Sequence, residues 1–208
     1  GNLSDLTSVN VSSGSTYVAN SSDTIGSISG GGTINIATGQ TLSTKGSADF
    51  SFDGSFLGEG RLRKDGSSAL TLAGDNSSAS VDFELAGGSL VLASANAIST
   101  NSSSTSELFF TGGELKYTAF NVADYSSRFP NIAGQIYRIN TNGQDVSFSS
   151  PLQSSGGSLT KLGAGSLTLS SATNTYDGAT SVEDGTLQIE GNLSDLTSVN
   201  VSSGSTYV

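Results

Sequence analysis

Three features of the sequence predict an all-β chain folded as a parallel β-solenoid: repeats nested at three scales, short apolar alternations at regular intervals, and glycine or asparagine turns between them. The largest repeat is literal. Residues 1–18, GNLSDLTSVNVSSGSTYV, recur unchanged as residues 191–208, so one period ends at Glu190 and the next begins at Gly191. The expected organisation is therefore one full repeat unit at 1–190, followed at 191–208 by the start of the next identical repeat. Inside the unit, Leu62, Lys64, Gly66, Leu70, Leu72, Gly88, Leu90 and Leu92 find Leu159, Lys161, Gly163, Leu167, Leu169, Gly185, Leu187 and Ile189 at one constant offset. This divides the unit into two diverged halves, about 1–96 and 97–190. The shortest step is twenty positions, from Leu70/Leu72 to Leu90/Leu92 and from Leu167/Leu169 to Leu187/Ile189.

Along the chain, Val9 with Val11, Ile34 with Ile36, Phe50 with Phe52, Val81 with Phe83 and Leu85, and Val146 with Phe148 alternate with polar neighbours. Period two places each set on one face of a strand. Gly31-Gly32, Gly87-Gly88, Gly112-Gly113, Asn142-Gly143 and Gly156-Gly157 stand between them as turn formers. No window carries a helical pattern. One short strand set per twenty-position step cannot close a core alone, whereas stacked coils bury a continuous apolar interior. The expectation is a right-handed parallel β-helix of about eight or nine coils per unit, adding roughly 40 Å of rod. An antiparallel sandwich suits the same turn spacing and is the alternative.

Residues 117–145 are the least regular part: Tyr117, Phe120, Tyr125, Phe129 and Tyr137 concentrate there, with a Phe129-Pro130 step. They read as a protruding loop or broadened coil whose rings plug one side of the rod. The functional alternative is a ligand patch in which Tyr125, Arg128, Tyr137 and Arg138 contact sugar rings or acidic groups.

Composition excludes several classes. A net charge of −10 with eight Lys and Arg lacks the basic footprint of a nucleic-acid or anionic-membrane binder. The absence of Cys and His removes disulfides, thiolate chemistry, the commonest general base and the commonest metal ligand. No stretch is long and apolar enough to insert in a membrane. Glu59, Arg61 and Arg63 point the same way on a strand, with Asp53 and Asp65 nearby, and read as a solvated charge cluster rather than an active site. Glu183 and Asp184 are adjacent and face opposite ways, which suits neither an acid–base pair nor a shared metal. Tandem calcium nonapeptides and the Thr ladders of an ice-binding face are lacking. Sequons at Asn2, Asn10, Asn20, Asn76 and Asn101 are expected by chance in a chain that is about one-fifth Ser. No catalytic, metal or cofactor residue is expected.

Residues 156–191 carry Leu159, Lys161, Gly163, Gly165, Leu167 and Leu169, then Asn174, Tyr176, Gly178 and Thr180, then Gly185, Thr186 and Leu187. This order resembles the passenger-associated transport repeat of bacterial autotransporters. Leu62, Lys64, Gly66, Leu70 and Leu72 form a reduced version that lacks the Tyr and Thr elements around Asn76. The resemblance implies a surface-exposed right-handed β-helix, extracellular or on the outer surface of a bacterium. On the residues alone, Leu167 and Leu169 face the core, Asn174 stacks on the next coil, and Lys161 is a structural surface or corner residue.

The expected function is a non-enzymatic structural segment of a long repetitive surface fibre or stalk, serving adhesion or matrix formation. Its partners are neighbouring identical repeats in the same chain or end-to-end copies, with surface glycans or matrix as further candidates. A carbohydrate-binding or polysaccharide-cleaving solenoid is the alternative.

Overall fold

The computed structural model describes residues 2–100 and 106–208. Nearly all regular structure is β, in strands of two to five residues that pair in parallel. Where a coil carries three strands, every third one returns to the same side of the molecule, so the chain winds as a three-faced solenoid.

The first face runs the length of the rod. It holds β1 (Ser8–Asn10), β4 (Ser27–Ser29), β7 (Phe50–Phe52), β10 (Ala69–Leu72), β12 (Ser89–Leu92), β14 (Glu114–Lys116), β15 (Ile136–Asn140), β17 (Ser158–Leu162), β19 (Thr180–Val182) and β21 (Val199–Val201). The step from β4 to β7 is closed by the Asp53 N–H, which donates to the Gly30 carbonyl at 3.0 Å. The second face holds β2 (Thr16–Ala19), β5 (Thr33–Ile36) and β8 (Ser55–Gly58), then β16 (Val146–Phe148), β18 (Ser166–Leu169), β20 (Thr186–Ile189) and β22 (Thr206–Tyr207). The third face holds β3 (Asp23–Ile25), β6 (Thr41–Thr44), β9 (Arg61–Lys64), β11 (Asp82–Leu85) and β13 (Leu108–Phe110).

Alternation sets which residues go inside. Register pairs Phe50 with Leu70, Leu70 with Leu90 and Leu90 with Leu115, and all but the partly buried Phe50 are sealed from solvent. Leu42, Leu62, Phe83 and Leu108 form the matching column on the third face. Such columns bury apolar surface only because the coils are stacked, at about 25 cal/mol for each Å² removed from water.

Residues 117–145 do not protrude. They form a broadened coil in which Leu115 of β14 pairs with Ile139 of β15, and most of their rings turn inward. Phe129 sits 4.9 Å from Phe110, 5.4 Å from Phe148 and stacks on Tyr137 at 5.7 Å, ring centre to ring centre.

Where a face lacks a strand, side-chain amides continue the ladder. Asn76 Oδ1 accepts the Phe56 N–H of β8 at 2.8 Å, and Gln135 Oε1 accepts the Phe110 N–H of β13 at 2.7 Å. Asn174 Oδ1 likewise accepts the Leu152 N–H at 3.0 Å. Backbone groups that would be buried without a partner are thereby satisfied. Asn174 therefore bonds back to the coil before it through its side chain and forward through its own N–H, to Asn192 O at 2.8 Å.

Corners need close approach. Gly32, Gly54 and Gly74 stack at the turn from the first face to the second, and a Cβ on Gly54 or Gly74 would collide with the carbonyl oxygen of the glycine beneath.

The two identical segments occupy the same two faces, nine coils apart: β1 and β21 on the first, β2 and β22 on the second. Nine steps at the usual inter-strand spacing amount to about 43 Å.

Candidate functional site

The densest chemistry lies on the outside of the third face. Arg61 and Arg63 project outward from β9, and register sets Asp82 and Glu84 of β11 beside them. Arg61 reaches Asp82 at 3.3 Å and Glu84 at 3.5 Å, and Arg63 pairs with Glu84. The Arg61 guanidinium also lies 3.9 Å above the centre of the Phe109 ring. Thr111 donates to the Glu84 carboxylate as well. Each cation is already held by an anion from the next coil, so the cluster works as a clamp across coils. Glu59 is not part of it and accepts a hydrogen bond from Thr38 at 3.3 Å instead.

Partly buried pairs of this kind contribute about 1 kcal/mol or less apiece. Their signal was present in the sequence, as two basic residues spaced by two followed one coil later by two acidic ones with the same spacing.

Two lysines occupy a second kind of site. Lys64 and Lys161 are buried, with their Nζ atoms tucked into the turns that follow β9 and β17. Lys64 donates to Asp65 O at 2.7 Å and Gly87 O at 3.3 Å; Lys161 donates to Gly163 O at 2.5 Å, Asp184 O at 3.0 Å and Leu162 O at 3.1 Å. Burial pushes each ammonium down to about 8, against the pull of Asp65 and Asp49 on Lys64 and of Asp184 on Lys161. Lys161 is thus a corner residue inside the rod and not a surface one. Each ammonium gathers carbonyl oxygens from two successive coils, which ties one turn to the next.

The four residues named as a ligand patch do not meet on the surface. Tyr125 and Tyr137 are wholly inside and Arg128 is buried, with a guanidinium nitrogen on the Ser99 carbonyl. Only Arg138 points outward, half-buried on β15. Burial raises the Tyr125 and Tyr137 hydroxyls above their ordinary value. Alternation within β15 separates Tyr137 from Arg138 by a whole sheet. Among the described residues no group of three or more acidic side chains is placed to hold a metal ion, and no helix is long and apolar enough to cross a membrane. The Asn76 sequon is core, and the Asn101 sequon lies outside the described residues.

Residues 62–80 and 159–189 match the family model of the passenger-associated transport repeat. Two segments of the chain are similar to passenger-associated transport repeats. Their sequence and the stacked parallel coils fit the passenger β-helix of an autotransporter. No curated protein and no solved structure matches the chain.

Geometry shows what the transport repeat builds. In both copies a strand carries the buried lysine, a glycine turn follows, a second strand comes next, and then a face bridged by asparagine instead of a strand. In the first, matched over residues 62–80, the order is β9, β10, Asn76, starting on the third face, and β11 and β12 follow beyond the matched residues. In the second it is β17, β18, Asn174, β19, β20, starting on the first face. The motif keeps its local form while turning by one face around the rod.

Proposed function

We propose that this chain is a non-enzymatic rod segment of a long, repetitive bacterial surface protein, whose β-helix serves as a stalk, fibre or matrix strand and supports adhesion. The transport repeats imply a secreted or surface location, and passenger repeats of this type are typically structural. The observation that carries the reading is where the reactive side chains go. Arg61 and Arg63 are engaged by Asp82 and Glu84, Lys64 and Lys161 by backbone carbonyls, and Tyr125 and Tyr137 by the core. What is left on the outside is rich in Ser, Asn and Asp and carries the chain's negative net charge, with scattered apolar side chains such as Phe120 and Leu57, over a regular core, which suits a spacer that must stay soluble.

Electron microscopy of the native protein on cells and released from them tests this. Unbranched fibres with an axial period near a multiple of about 43 Å are the expected result. Compact particles would overturn the proposal, and polysaccharide binding lost on Arg138→Ala would turn attention to the carbohydrate alternative.

A further inference from the structure

The repeated segment is seen twice in one molecule, under opposite conditions. At 2–18 it is covered by the coil that follows; at 192–208 it lies on the coil that precedes. Their own turns are the same in both places. Thr7 N–H donates to Ser4 O and Thr197 N–H to Ser194 O, at 2.7 and 3.0 Å. Ser15 to Ser12 and Ser205 to Ser202 repeat the second turn, at 2.9 and 3.0 Å.

The two sets of bonds use different atoms. In a parallel ladder successive residues direct their backbone groups to opposite sides. Toward the following coil, Thr7 O accepts from Gly26, Val11 N–H donates to Ser29, Val11 O accepts from Gly32, and Ser15 O accepts from Thr33. Toward the preceding coil, Ser198 O accepts from Thr180, Ser202 N–H donates to Val182, Thr206 N–H donates to Gly185, and Val208 bonds Leu187 and Ile189. Those last residues correspond to positions 8, 12, 16 and 18 of the segment, so odd positions bond one way and even positions the other. None of these backbone groups is claimed twice.

Side chains agree. Val11 is 4% exposed and its counterpart Val201 is 46% exposed, so the segment's apolar interior is half-open only where the following coil is lacking.

We infer that residues 1–18 and 191–208 are one seam coil with two mating edges, on which a second copy of this chain's nine-coil unit continues the same rod without a break. The inference rests on the rod reading above and adds to it the partner and the geometry of the joint. Because the seam recurs after a whole number of coils, each added unit starts on the same face, and the Arg61/Glu84 clamp recurs on one side of the rod about every 43 Å.

The test is a tandem protein, residues 1–208 followed directly by residues 19–208, compared with the single chain by amide hydrogen exchange. In the single chain Ser202 N–H is expected to be protected and Val201 N–H to exchange fast. In the tandem both are expected to be protected, with Val201 slowed on the order of 100-fold. Fast exchange at Val201 while the amides of β9–β20 stay protected in both units would overturn the seam. So would a direct tandem that fails to fold where the same two units joined by a flexible linker both fold. A closed seam in a protein that forms no fibres on cells would leave the joint standing and overturn the fibre reading alone.

Discussion

Replacing Asn76 and Asn174 by alanine separates two roles of one motif position. Asn76 joins three coils: it accepts the Phe56 N–H at 2.8 Å and donates to the Ala97 carbonyl at 3.1 Å, with its side chain excluded from water. Alanine strands one donor and one acceptor inside the rod. At about 1 to 3 kcal/mol for each buried group left without a partner, Asn76→Ala is expected to cost about 2 to 6 kcal/mol. Asn174 satisfies only the Leu152 N–H, at 3.0 Å, so Asn174→Ala is expected to cost about 1 to 3 kcal/mol in this chain. A solenoid can open coil by coil, so urea unfolding should be read together with amide exchange at Phe56 and Leu152. Each variant should accelerate its own reporter and leave the other near its parent rate. Equal costs for the two variants, or a Phe56 amide as slow in Asn76→Ala as in the parent, would refute the account of asparagine as a stand-in strand.

Alkaline titration is expected to stabilise and then destabilise the rod. Lys64 and Lys161 release their protons from about pH 8 in the fold but near 10.5 unfolded, so the unfolded state binds more protons in that window and the urea midpoint should rise with pH; Lys161→Met should flatten part of the rise. Burial raises the tyrosine hydroxyls, Tyr176 up to about 12, so the stability they contribute is complete below pH 10 and is lost above it, and a midpoint that falls steadily from pH 8 would contradict the lysine assignment. Gly54→Ala should cost about 3 kcal/mol by driving a methyl into the Gly32 carbonyl, while Gly31→Ala, which meets open space, should leave the melting temperature within a few degrees of the parent. Tyr137→Phe, which removes a buried hydroxyl without a protein partner, should be neutral or mildly stabilising in thermal melts, and Tyr176→Phe should cost about 1 kcal/mol through its 2.7 Å bond to Thr180.

The fold was legible because a solenoid writes its geometry into spacing. Leu70 and Leu90 pair at the twenty-position step read from the sequence, and Val9 and Val199 return to one face after a full repeat. What spacing alone concealed was which way a residue faces where alternation lapses. Tyr125 and Arg128 lie in or beside a short 3₁₀ turn, Ser126–Arg128, where no two-residue period assigns a side. Tyr137 shows the limit differently: it sits in a regular strand, but its inward face could be fixed only by knowing that Ile139 pairs with Leu115. Of the two places the sequence allows Lys161, surface or corner, the structure takes the corner, although charge alone predicts exposure. Here carbonyl acceptors around each ammonium replace water, and the Lys-x-Gly spacing that Lys64 shares with Lys161 was the available sign of such a turn.

The rotation of the transport repeat shows which level of the repeat the rod depends on. The two motifs are separated by four coils and one face, so the second starts a third of a turn round from the first. A structure that relied on a particular face would not tolerate that displacement. The motif tolerates it because its parts are local: the lysine binds the turn carbonyls of its own coil and the next, and the asparagine bridges whichever face lacks a strand. The remaining part of the unit supplies four coils and two faces, which restores the phase at nine. Local chemistry thus permits the motif anywhere on the rod, and a whole number of coils per unit decides only whether successive units present the same faces on the same side. Inserting one further whole coil in a unit should therefore be accepted with a proportionate gain in length and keep the Arg61/Glu84 clamps of successive units on one side of a tandem protein, whereas inserting a single face, about a third of a coil, should leave both motifs folded and set those clamps a third of a turn apart.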